Sequence, residues 1–395
     1  MSERHSSRSR KRPKPLALDV RVPVEDRSYP VIVGPGTLDR LGAELRQRLA
    51  AARTVAVISD TNVAPLYGAR ACDSLTDAGL NPFMITIPAG EASKSSAMLF
   101  EVVEQLLRGG VGRRDAVVAL GGGVVGDLGG LAAALYMRGI AVIQCPTSLL
   151  AQVDASVGGK VAIDLAVGKN LLGAFHFPLA VLIDPEVLRT LDDRNLGCGL
   201  AEMLKHGALF SAAHFNQLIA ATDALYRRDF DIITPLIATS VGLKGACVGR
   251  DPWEQGEAGK GRVLLNLGHT IGHAIEAASG YELAHGEAVA LGLRAAARVS
   301  EVRGVAEPGL EETMTSALAA LRLPTDLDAW LDEARGEALE RALALDKKRN
   351  AGRVSYVALV RLGEPTVLTL SPREVLASLR EPALQVAEPS EEAGA

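Results

Sequence analysis

The sequence predicts two folded domains, an α/β domain with a parallel sheet followed by a mainly helical domain. In the first part of the chain, short runs rich in valine and isoleucine alternate with amphipathic segments, as in strands joined by covering helices. After about Thr190 these runs stop, and alanine, leucine, glutamate and arginine recur at helical spacing. The length of 395 residues suits two or three domains. We therefore place the domains at residues 16–190 and 191–380.

Strand patterns follow one another along the first domain. Two early runs, at residues 18–22 and 29–33, are predicted to form a hairpin. Five later runs lack the polar alternation of a half-exposed strand, so we expect buried parallel strands with helices such as 95–108 between them. These five runs are 54–59, 83–87, 116–120, 141–144 and 180–183.

The second domain is predicted to end in a small hairpin, at residues 354–360 and 366–370, and a last helix at 372–379. The two ends of the chain have a different composition. The basic, serine-rich residues 1–15 and the acidic residues 381–395 are predicted to be disordered tails.

Composition favours a cytoplasmic enzyme that acts on a small molecule. The net charge is −5, and acidic and basic residues are mixed, which argues against a nucleic-acid-binding surface. Four widely spaced cysteines without a CxxC pair argue against a disulfide framework or a zinc ribbon. The N-terminal segment lacks the apolar core of a secretory signal. No unbroken apolar run reaches the length of about 18 residues that predicts a membrane span.

The segment DAVVALGGGVVGDLGG places a glycine-rich turn between a strand and a helix. Gly121, Gly123 and Gly126 fit the spacing G-x-G-x-x-G. Glycines let a phosphate approach the backbone, and the free amides and dipole at the helix start favour its negative charge. The turn is a candidate dinucleotide site, and the alternative is a turn that only packs helix on strand.

The ribose partner of such a dinucleotide is predicted to come from another strand. The usual fingerprint has an acidic residue about 20 positions after the glycines, but this chain has residues 145–147, CPT, there. Asp60 and Asn62 follow the predicted strand 54–59. Ligands in open α/β sheets bind at such strand ends, so these two residues are candidates.

Two lysines interrupt the apolar stretch that follows. Lys160 and Lys169 lie in glycine-flanked turns, with Asp154 and Asn170 close by in the sequence. An ammonium group in apolar surroundings needs an anionic partner, so both lysines suit a phosphate or carboxylate ligand. The alternative for each is an ordinary surface lysine.

Histidines cluster in the predicted helical domain. His269 and His273 lie at i and i+4 of one helix, His285 follows, and His206 and Glu202 precede them. Imidazoles presented together are common zinc ligands, and a catalytic zinc takes three protein ligands. Spacing alone favours the i, i+4 pair and leaves the third ligand open. The alternative for any one of these histidines is a hydrogen-bonded core residue.

An ordered set of motifs goes beyond these single predictions. Across roughly residues 18–380 the chain carries, in this order, GEASK, GGGVVGDLGG, YMRG, VDASVGGK, GKNLLGAF, GLAEMLKHG, RVLLNLGHTIGHAIE, AHGEAVALG and DKK. With this set the chain resembles the 3-dehydroquinate synthases, members of the sugar phosphate cyclase superfamily. The resemblance implies a Rossmann-like NAD-binding domain, a helical metal-binding domain, an active site in the cleft between them, and a homodimer.

The resemblance also assigns residues to the two cofactors. It implies one divalent metal ion, zinc or cobalt, on Glu202, His269 and His285, so that His273 becomes a substrate-binding or proton-handling group. The implied NAD contacts are Asp60, Asn62, Glu91, Lys94, Gly122, Gly123, Val124, Val125, Gly126, Asp127, Thr147, Ser148, Lys160, Lys169, Leu188, Arg189 and Thr190.

The implied substrate groups are mostly cations, as a substrate with a phosphate and a carboxylate requires. They are Arg138, Asp154, Lys160, Lys169, Asn170, Lys205, Lys244, Arg262, Asn266, His273 and the Lys347–Lys348 pair. The implied reaction converts 3-deoxy-D-arabino-heptulosonate 7-phosphate into 3-dehydroquinate through transient oxidation by NAD, loss of phosphate, re-reduction and ring closure.

Three features depart from the common pattern of the family. Ser148 replaces a threonine, Phe177 replaces the glutamine of AFHQP, and DPWEQGEAGKGR is a longer segment between Lys244 and Arg262. Another sugar phosphate cyclase is the nearest alternative, and iron-type alcohol or glycerol dehydrogenases share the architecture. An inactive NAD-binding scaffold is the alternative of a different class, but it would be expected to lose a metal ligand.

Overall fold

A computed structural model describes residues 16–21, 28–256, 259–347 and 353–381. The described chain divides into two compact units. The first unit contains residues 29–147 and 161–187, and the second contains residues 148–160 and the described residues from 188 onward. The predicted tails, residues 1–15 and 381–395, lie outside the described residues except for Glu381.

The strands form one large sheet and two small ones. In chain order the strands are β1 Leu16–Arg21, β2 Ser28–Val33, β3 Thr54–Asp60, β4 Asn81–Ile87, β5 Ala116–Gly121, β6 Ala141–Pro146, β7 Lys160–Leu165, β8 Gly168–Phe175, β9 Ala180–Ile183, β10 Val354–Arg361 and β11 Glu364–Leu370. The large sheet has seven strands in the order β1-β2-β9-β6-β5-β3-β4. The small sheets pair β7 with β8 and β10 with β11.

The large sheet confirms the prediction of parallel strands, which are buried except for the partly exposed edge strand β4. Strand β3 pairs in parallel with β4 and β5, and β6 pairs in parallel with β5 and β9. Every residue of β5 and β9 is buried. Helices cover both faces of such a sheet, which is why its central strands are apolar without alternation.

Helices fill the intervals between strands and dominate the second unit. They are α1 Leu41–Arg48, α2 Ala69–Asp77, α3 Ser96–Arg108, α4 Gly123–Leu135, α5 Asp193–Phe210, α6 Ala212–Ala220, α7 Thr222–Tyr226, α8 Phe230–Arg250, α9 His269–Ala278, α10 His285–Val302, α11 Leu310–Ala320, α12 Glu333–Lys347 and α13 Pro372–Arg380. The hairpin β10–β11 and the last helix α13 are where the sequence predicts them.

The β7–β8 hairpin corrects one prediction. Lys160 begins β7 and Lys169 lies in β8, so neither lysine lies in the glycine-flanked turn that the sequence suggests. Strand β8, GKNLLGAF, lacks the alternation of apolar and polar residues that identifies a strand, because it contains glycines and polar residues. Gly173 is needed there because a Cβ atom at this position would lie 2.3 Å from the Val161 carbonyl oxygen.

Helix α8 is the one helix in the described residues with the length and composition of a membrane span. More than half of its apolar window is buried inside the protein. A core helix has the same composition, and α8 also carries the buried Lys244. The helix is therefore weak evidence for a membrane span.

Candidate active site

Three helices of the second unit bring together one carboxylate and two imidazoles. Glu202 lies within α5, His269 begins α9 and His285 begins α10. The Nε2 atoms of His269 and His285 lie 3.6 and 3.5 Å from the same oxygen, Oε1 of Glu202. Both ring nitrogens thus face one buried carboxylate oxygen from different helices.

Close helix packing holds this arrangement. A Cβ atom at Gly292 of α10 would lie 1.9 Å from the carbonyl oxygen of Gly268, the residue before α9. A Cβ atom at Gly286 would lie 2.2 Å from the Cα atom of Cys198 in α5. Only glycine lets the backbones approach so closely, and this approach places His269 and His285 beside Glu202.

The other ring nitrogen of each imidazole has a partner. His269 Nδ1 lies 3.1 Å from the carbonyl oxygen of Leu267, and His285 Nδ1 lies 3.2 Å from Oε2 of Glu276. Acceptors at Nδ1 keep a ring proton there, so the Nε2 lone pair is directed at the site whenever the ring is neutral. Metal-binding imidazoles are held in this way.

The donor set fits a divalent cation. Both carboxylate oxygens of Glu202 are buried and lack a hydrogen bond, although Lys205 Nζ lies 2.5 Å from Oε2 as an ion pair. A buried carboxylate oxygen without a hydrogen bond is costly unless a cation compensates it. One carboxylate and two imidazoles are also a ligand set that catalytic zinc uses.

The protonation of the two imidazoles differs. Burial lowers the pKa of His269 well below its usual range, so this ring is neutral. Burial also lowers the pKa of His285, but the neighbouring carboxylates of Glu202 and Glu276 outweigh it and raise the pKa to about 9. A metal ion at this site would have to displace the His285 proton.

His273 lies beside these residues. Its ring is 5.1 Å from the His269 ring and 5.7 Å from the His285 ring, between centroids. The three imidazoles alone could also hold a metal ion, since their nitrogens lie within 4.8 Å of one another. We favour the set with Glu202, because its buried oxygen lacks a hydrogen bond whereas His273 is exposed.

A cluster of cations surrounds Asp154, close to Glu202. Asp154 Oδ1 lies 2.8 Å from Lys244 Nζ, 3.5 Å from His206 Nε2 and 4.0 Å from Lys205 Nζ. Burial would raise the pKa of Asp154, but the two ammonium groups outweigh it and hold this pKa well below its usual range. Lys205 is paired with Glu202, and Lys244 is paired with Asp154. An anionic substrate would therefore share these two ammonium groups with the two carboxylates.

Arg262 and Lys160 have protein partners in this structure. Arg262 Nη1 donates to the carbonyl oxygens of Gly158 and Pro252, at 2.8 and 2.9 Å. Lys160 Nζ lies 2.5 Å from Glu254, in the longer segment that follows α8. Asn266 is exposed just before α9. Substrate contacts by Lys160, Arg262 and Asn266 stay predictions.

The first unit carries the glycine-rich turn at the start of α4. This helix begins at Gly123 after Gly122, and no side chain caps its first amides. Gly126 serves packing, because a Cβ atom there would lie 3.0 Å from Gln144 Oε1. The uncapped amides at the helix start, flanked by residues without side chains, suit a phosphate of a dinucleotide.

A buried lysine lies at the same end of α4. Lys94 Nζ lies 2.8 Å from Asp127 Oδ2 and also donates to Asn170 Oδ1. Burial raises the pKa of Asp127 to about 6, although Lys94 opposes this. Asn170 has a positive φ of 56°, and its backbone amide donates to Asp164. These contacts join the GEASK and GKN segments to the glycine turn.

Asp60 ends β3, and its Oδ1 accepts hydrogen bonds from the amides of Asn62 and Val63. Asn62 and Glu91 are exposed. In the same unit, the amide of Thr147 donates to the Gly121 carbonyl oxygen at 2.9 Å. The roles of these residues in NAD binding stay predictions.

Other residues with implied roles are dispersed. Leu188, Arg189 and Thr190 end the helical turn Pro185–Thr190, and Ser148 precedes the turn Ala151–Ala155. Arg138 is exposed after α4 with a positive φ of 69°. Lys347 ends α12, and Lys348 lies outside the described residues. The site roles of all these residues also stay predictions.

Three residues near the site were not predicted from the sequence as site residues. Glu276 supports His285, Ser240 contacts His206, and Glu254 pairs with Lys160. Glu276 had a signal, because it lies on the His269 and His273 face of α9, at i+7. Ser240 and Glu254 had none, because their partners are distant in the sequence.

The chain is similar to one known family along most of its length. Residues 84–198 match the family "3-dehydroquinate synthase N-terminal", and residues 199–349 match "3-dehydroquinate synthase C-terminal". The 3-dehydroquinate synthase of Symbiobacterium thermophilum is 43% identical over 343 residues, which cover 87% of this chain and 94% of that protein. That of Caulobacter vibrioides is 44% identical over 351 residues, covering 88% and 94%.

Solved structures with a similar fold include two sugar phosphate cyclases. The 2-epi-5-epi-valiolone synthase of Streptomyces hygroscopicus subsp. jinggangensis 5008, with NAD+ and Zn2+ bound, has a TM-score of 0.79 and 28% identity, covering 90% of this chain and 97% of that chain. A 2-deoxy-scyllo-inosose synthase with carbaglucose-6-phosphate, NAD+ and Co2+ has a TM-score of 0.81 and 23% identity, covering 93% and 100%. The second likeness concerns the fold alone.

Proposed function

The chain belongs to the 3-dehydroquinate synthase family, and we propose that Glu202, His269 and His285 hold the divalent metal ion of its active site. The enzyme converts 3-deoxy-D-arabino-heptulosonate 7-phosphate into 3-dehydroquinate and phosphate, with NAD and a divalent metal ion as cofactors. One observation carries the ligand assignment: a buried Glu202 oxygen without a hydrogen bond faces two imidazole nitrogens.

The cofactors define what the protein residues have to do. When bound, NAD supplies transient oxidation and re-reduction, and the metal ion polarises the reacting oxygen of the substrate. Glu202, His269 and His285 supply three ligands and leave coordination positions for substrate oxygens. Glu276 and the Leu267 carbonyl keep the ring protons on Nδ1, so both Nε2 atoms stay directed at the site.

The cation cluster is proposed to bind and orient the substrate. Lys205 and Lys244 are buried, and each lies within ion-pair distance of Asp154. Together with Lys160 and Arg262 they suit the phosphate and carboxylate groups of the heptulosonate. The oxygen of the departing phosphate can itself take the proton, so these residues need only orient the leaving group.

His273 is proposed to contact substrate or handle a proton at the exposed side of the metal ligands. Its ring lies edge-on to His269 and is exposed, so a substrate could reach it although it is not one of the proposed ligands.

The amides at Gly122 and Gly123, with Lys94 and Asp127, are proposed to hold NAD. Support for this role comes from the uncapped start of α4 and the buried ion pair beside it.

Two further properties are proposed from family membership. We propose that the enzyme is a cytoplasmic homodimer. Sedimentation of the purified full chain should give twice the monomer mass of 41.4 kDa. A monomer at working concentration would contradict the dimer.

The function is tested by two measurements on one preparation. Phosphate should be released from the heptulosonate phosphate without a net change in NADH absorbance, because NAD is regenerated in each turnover. Protein treated with a chelator should lose turnover and recover it with zinc or cobalt. Full activity of metal-free protein, or net accumulation of NADH, would overturn the proposal.

A further inference from the structure

His206 is a buried imidazole in the cation cluster, outside the proposed set of metal ligands. It lies on α5 one turn after Glu202, and it is fully buried. Its Nδ1 lies 2.7 Å from the hydroxyl oxygen of Ser240 on α8. Its Nε2 lies 3.5 Å from Asp154 Oδ1, a polar contact that does not meet the geometry of a hydrogen bond. The ring therefore connects a hydroxyl group to the carboxylate that both lysines share.

The chemistry of the two partners fixes the tautomer of His206. An ionised carboxylate only accepts hydrogen bonds, so the ring nitrogen that faces Asp154 must carry the proton. Nδ1 is then an acceptor, and the Ser240 hydroxyl donates to it. Burial lowers the pKa of His206, so the ring carries one proton only. The Ser240 hydroxyl therefore donates to His206, and the Nε2–H group of His206 makes a polar contact with Asp154.

The orientation of Asp154 decides how the two lysines are used. Lys244 Nζ lies 2.8 Å from Oδ1 and donates at 2.5 Å to the Asp154 backbone carbonyl oxygen. Lys205 Nζ is 4.0 Å from the same Oδ1 and 2.5 Å from Glu202. Rotation of the Asp154 carboxylate toward Lys205 would exchange these partners. The Nε2–H group of His206 contacts the same Oδ1 atom and favours its present position.

We propose that His206, held by Ser240, is a positioning residue that keeps the Asp154 carboxylate on Lys244 and leaves Lys205 paired with Glu202. The inference rests on the proposed function, because the aligned lysines matter through the substrate that they bind. Its effect is on catalysis, since misaligned ammonium groups still attract an anionic substrate but no longer orient it. The loss of His206 should lower kcat more than it raises KM.

Two isosteric substitutions separate the two ends of the ring. Glutamine places an amide NH2 near the position of Nε2 and keeps a donor to Asp154. Asparagine places its amide near Nδ1 and keeps only the contact with Ser240. Neither residue ligates metal in the proposed site, so metal content and the melting temperature serve as controls for folding. Ser240→Ala tests the hydroxyl that fixes the tautomer.

For His206→Gln we expect kcat within about threefold of the wild type, whereas His206→Asn should lower kcat about 10–100-fold, as the loss of an orienting partner does. KM should change less than kcat in both. Ser240→Ala should fall between them, with the same metal content. Equal losses in the glutamine and asparagine variants, or no loss in either, would overturn the inference.

The wild-type enzyme distinguishes a failure of the proposed function from a failure of the role of His206. If it releases no phosphate from the heptulosonate phosphate, the proposed function fails. If it is active and depends on metal but the three variants do not follow this order, only the role of His206 fails. Should His206→Asn fail to fold, the comparison of His206→Gln with Ser240→Ala still decides, because the inference requires the serine variant to be the slower one.

Discussion

At the scale of single residues, metal binding depends on which nitrogen of each imidazole carries its proton. Glu276 Oε2 accepts from His285 Nδ1 at 3.2 Å and fixes this choice. Glu276→Gln keeps the shape but offers a neutral amide, so we expect metal affinity to fall about 10–100-fold. Competition with a chromophoric chelator measures it. Glu282→Gln, an exposed change between α9 and α10, is the control and should leave affinity unchanged; equal losses would contradict the role of Glu276.

The two histidines of α9 should behave differently when each is replaced. His269→Ala removes a proposed ligand, and metal should be lost on gel filtration. His273→Ala should retain about one metal ion per chain and lose rate, because its exposed ring lies beside the ligands. Metal analysis of both variants checks this. If both lose metal equally, the three-imidazole set replaces the set with Glu202.

His214 makes the fold sensitive to acid. This histidine is buried in α6, and neither ring nitrogen has a hydrogen-bond partner in the described residues. Burial lowers its pKa to about 4, against about 6.5 in an unfolded chain. Between these values the unfolded state binds more protons, so stability is lost as pH falls from about 6.5 toward 4.

The magnitude follows from the two pKa values. Relative to pH 7, the unfolding free energy contributed by His214 should fall by roughly 2 kcal/mol at pH 5. Denaturant unfolding of the wild type and of His214→Leu at both pH values measures it. The leucine variant should lack this part of the pH dependence. The same loss of stability on acidification in both proteins would show that other groups cause it.

The sequence alone identified some residues of the site but could not assign all of their roles. His269, His273 and His285 could be identified as candidates because imidazoles are rare in this chain and three lie within one short segment. Spacing alone could not decide whether His273 or Glu202 is a ligand. His269 and His273 lie at i and i+4, which is the spacing of a metal-binding pair on a helix, whether or not His273 binds the ion. It needs the packing of α5 against α9 and α10, which no local pattern encodes.

At the scale of elements, the contact between α9 and α10 sets the distance between the two imidazoles. Gly292→Ala would place a methyl group 1.9 Å from the Gly268 carbonyl oxygen, so the helices must move apart. We expect destabilisation of about 1–3 kcal/mol and weaker metal binding. Thermal unfolding and metal competition measure the two effects.

Gly242 offers a matched control on another helix. It lies in α8, is exposed, and a Cβ atom there would meet nothing within 4 Å. Gly242→Ala should stabilise the protein by up to about 1 kcal/mol, because alanine favours a helix over glycine, and should leave metal affinity unchanged. If both variants lose metal alike, the helix contact does not determine the site.

The elements differ in how well their sequences identify them. The strands of the large sheet were predicted correctly because their uninterrupted apolar runs are typical of a parallel sheet buried on both faces. Strands β7 and β8 were both missed, and β8 has no β-branched residue and contains two glycines. This strand forms because it pairs with β7, and the pairing outweighs the low strand propensity of its own residues.

At the scale of the whole molecule, the two compact units carry different sets of proposed cofactor ligands. The first unit holds the start of α4, Lys94 and Asp127, and the second holds Glu202, His269 and His285. The family resemblance gave both sets from sequence, because each motif contains its own residues. Composition and periodicity predicted the change from an α/β domain to a helical domain, but they did not identify cofactor or substrate residues.

The two cofactors should therefore protect different parts of the chain from hydrogen exchange. Exchange reports local opening, and a ligand at about 100 times its Kd stabilises the bound form by about 2.7 kcal/mol. Zinc added to chelator-treated protein should slow exchange in α5 and at the starts of α9 and α10, which the metal would tie together although they are far apart in sequence. NAD alone should slow exchange at the start of α4. Helix α3 is the control for zinc, because it belongs to the first unit. Protection by zinc confined to α9, without α5, would mean that Glu202 is no ligand and that the histidines alone bind the ion.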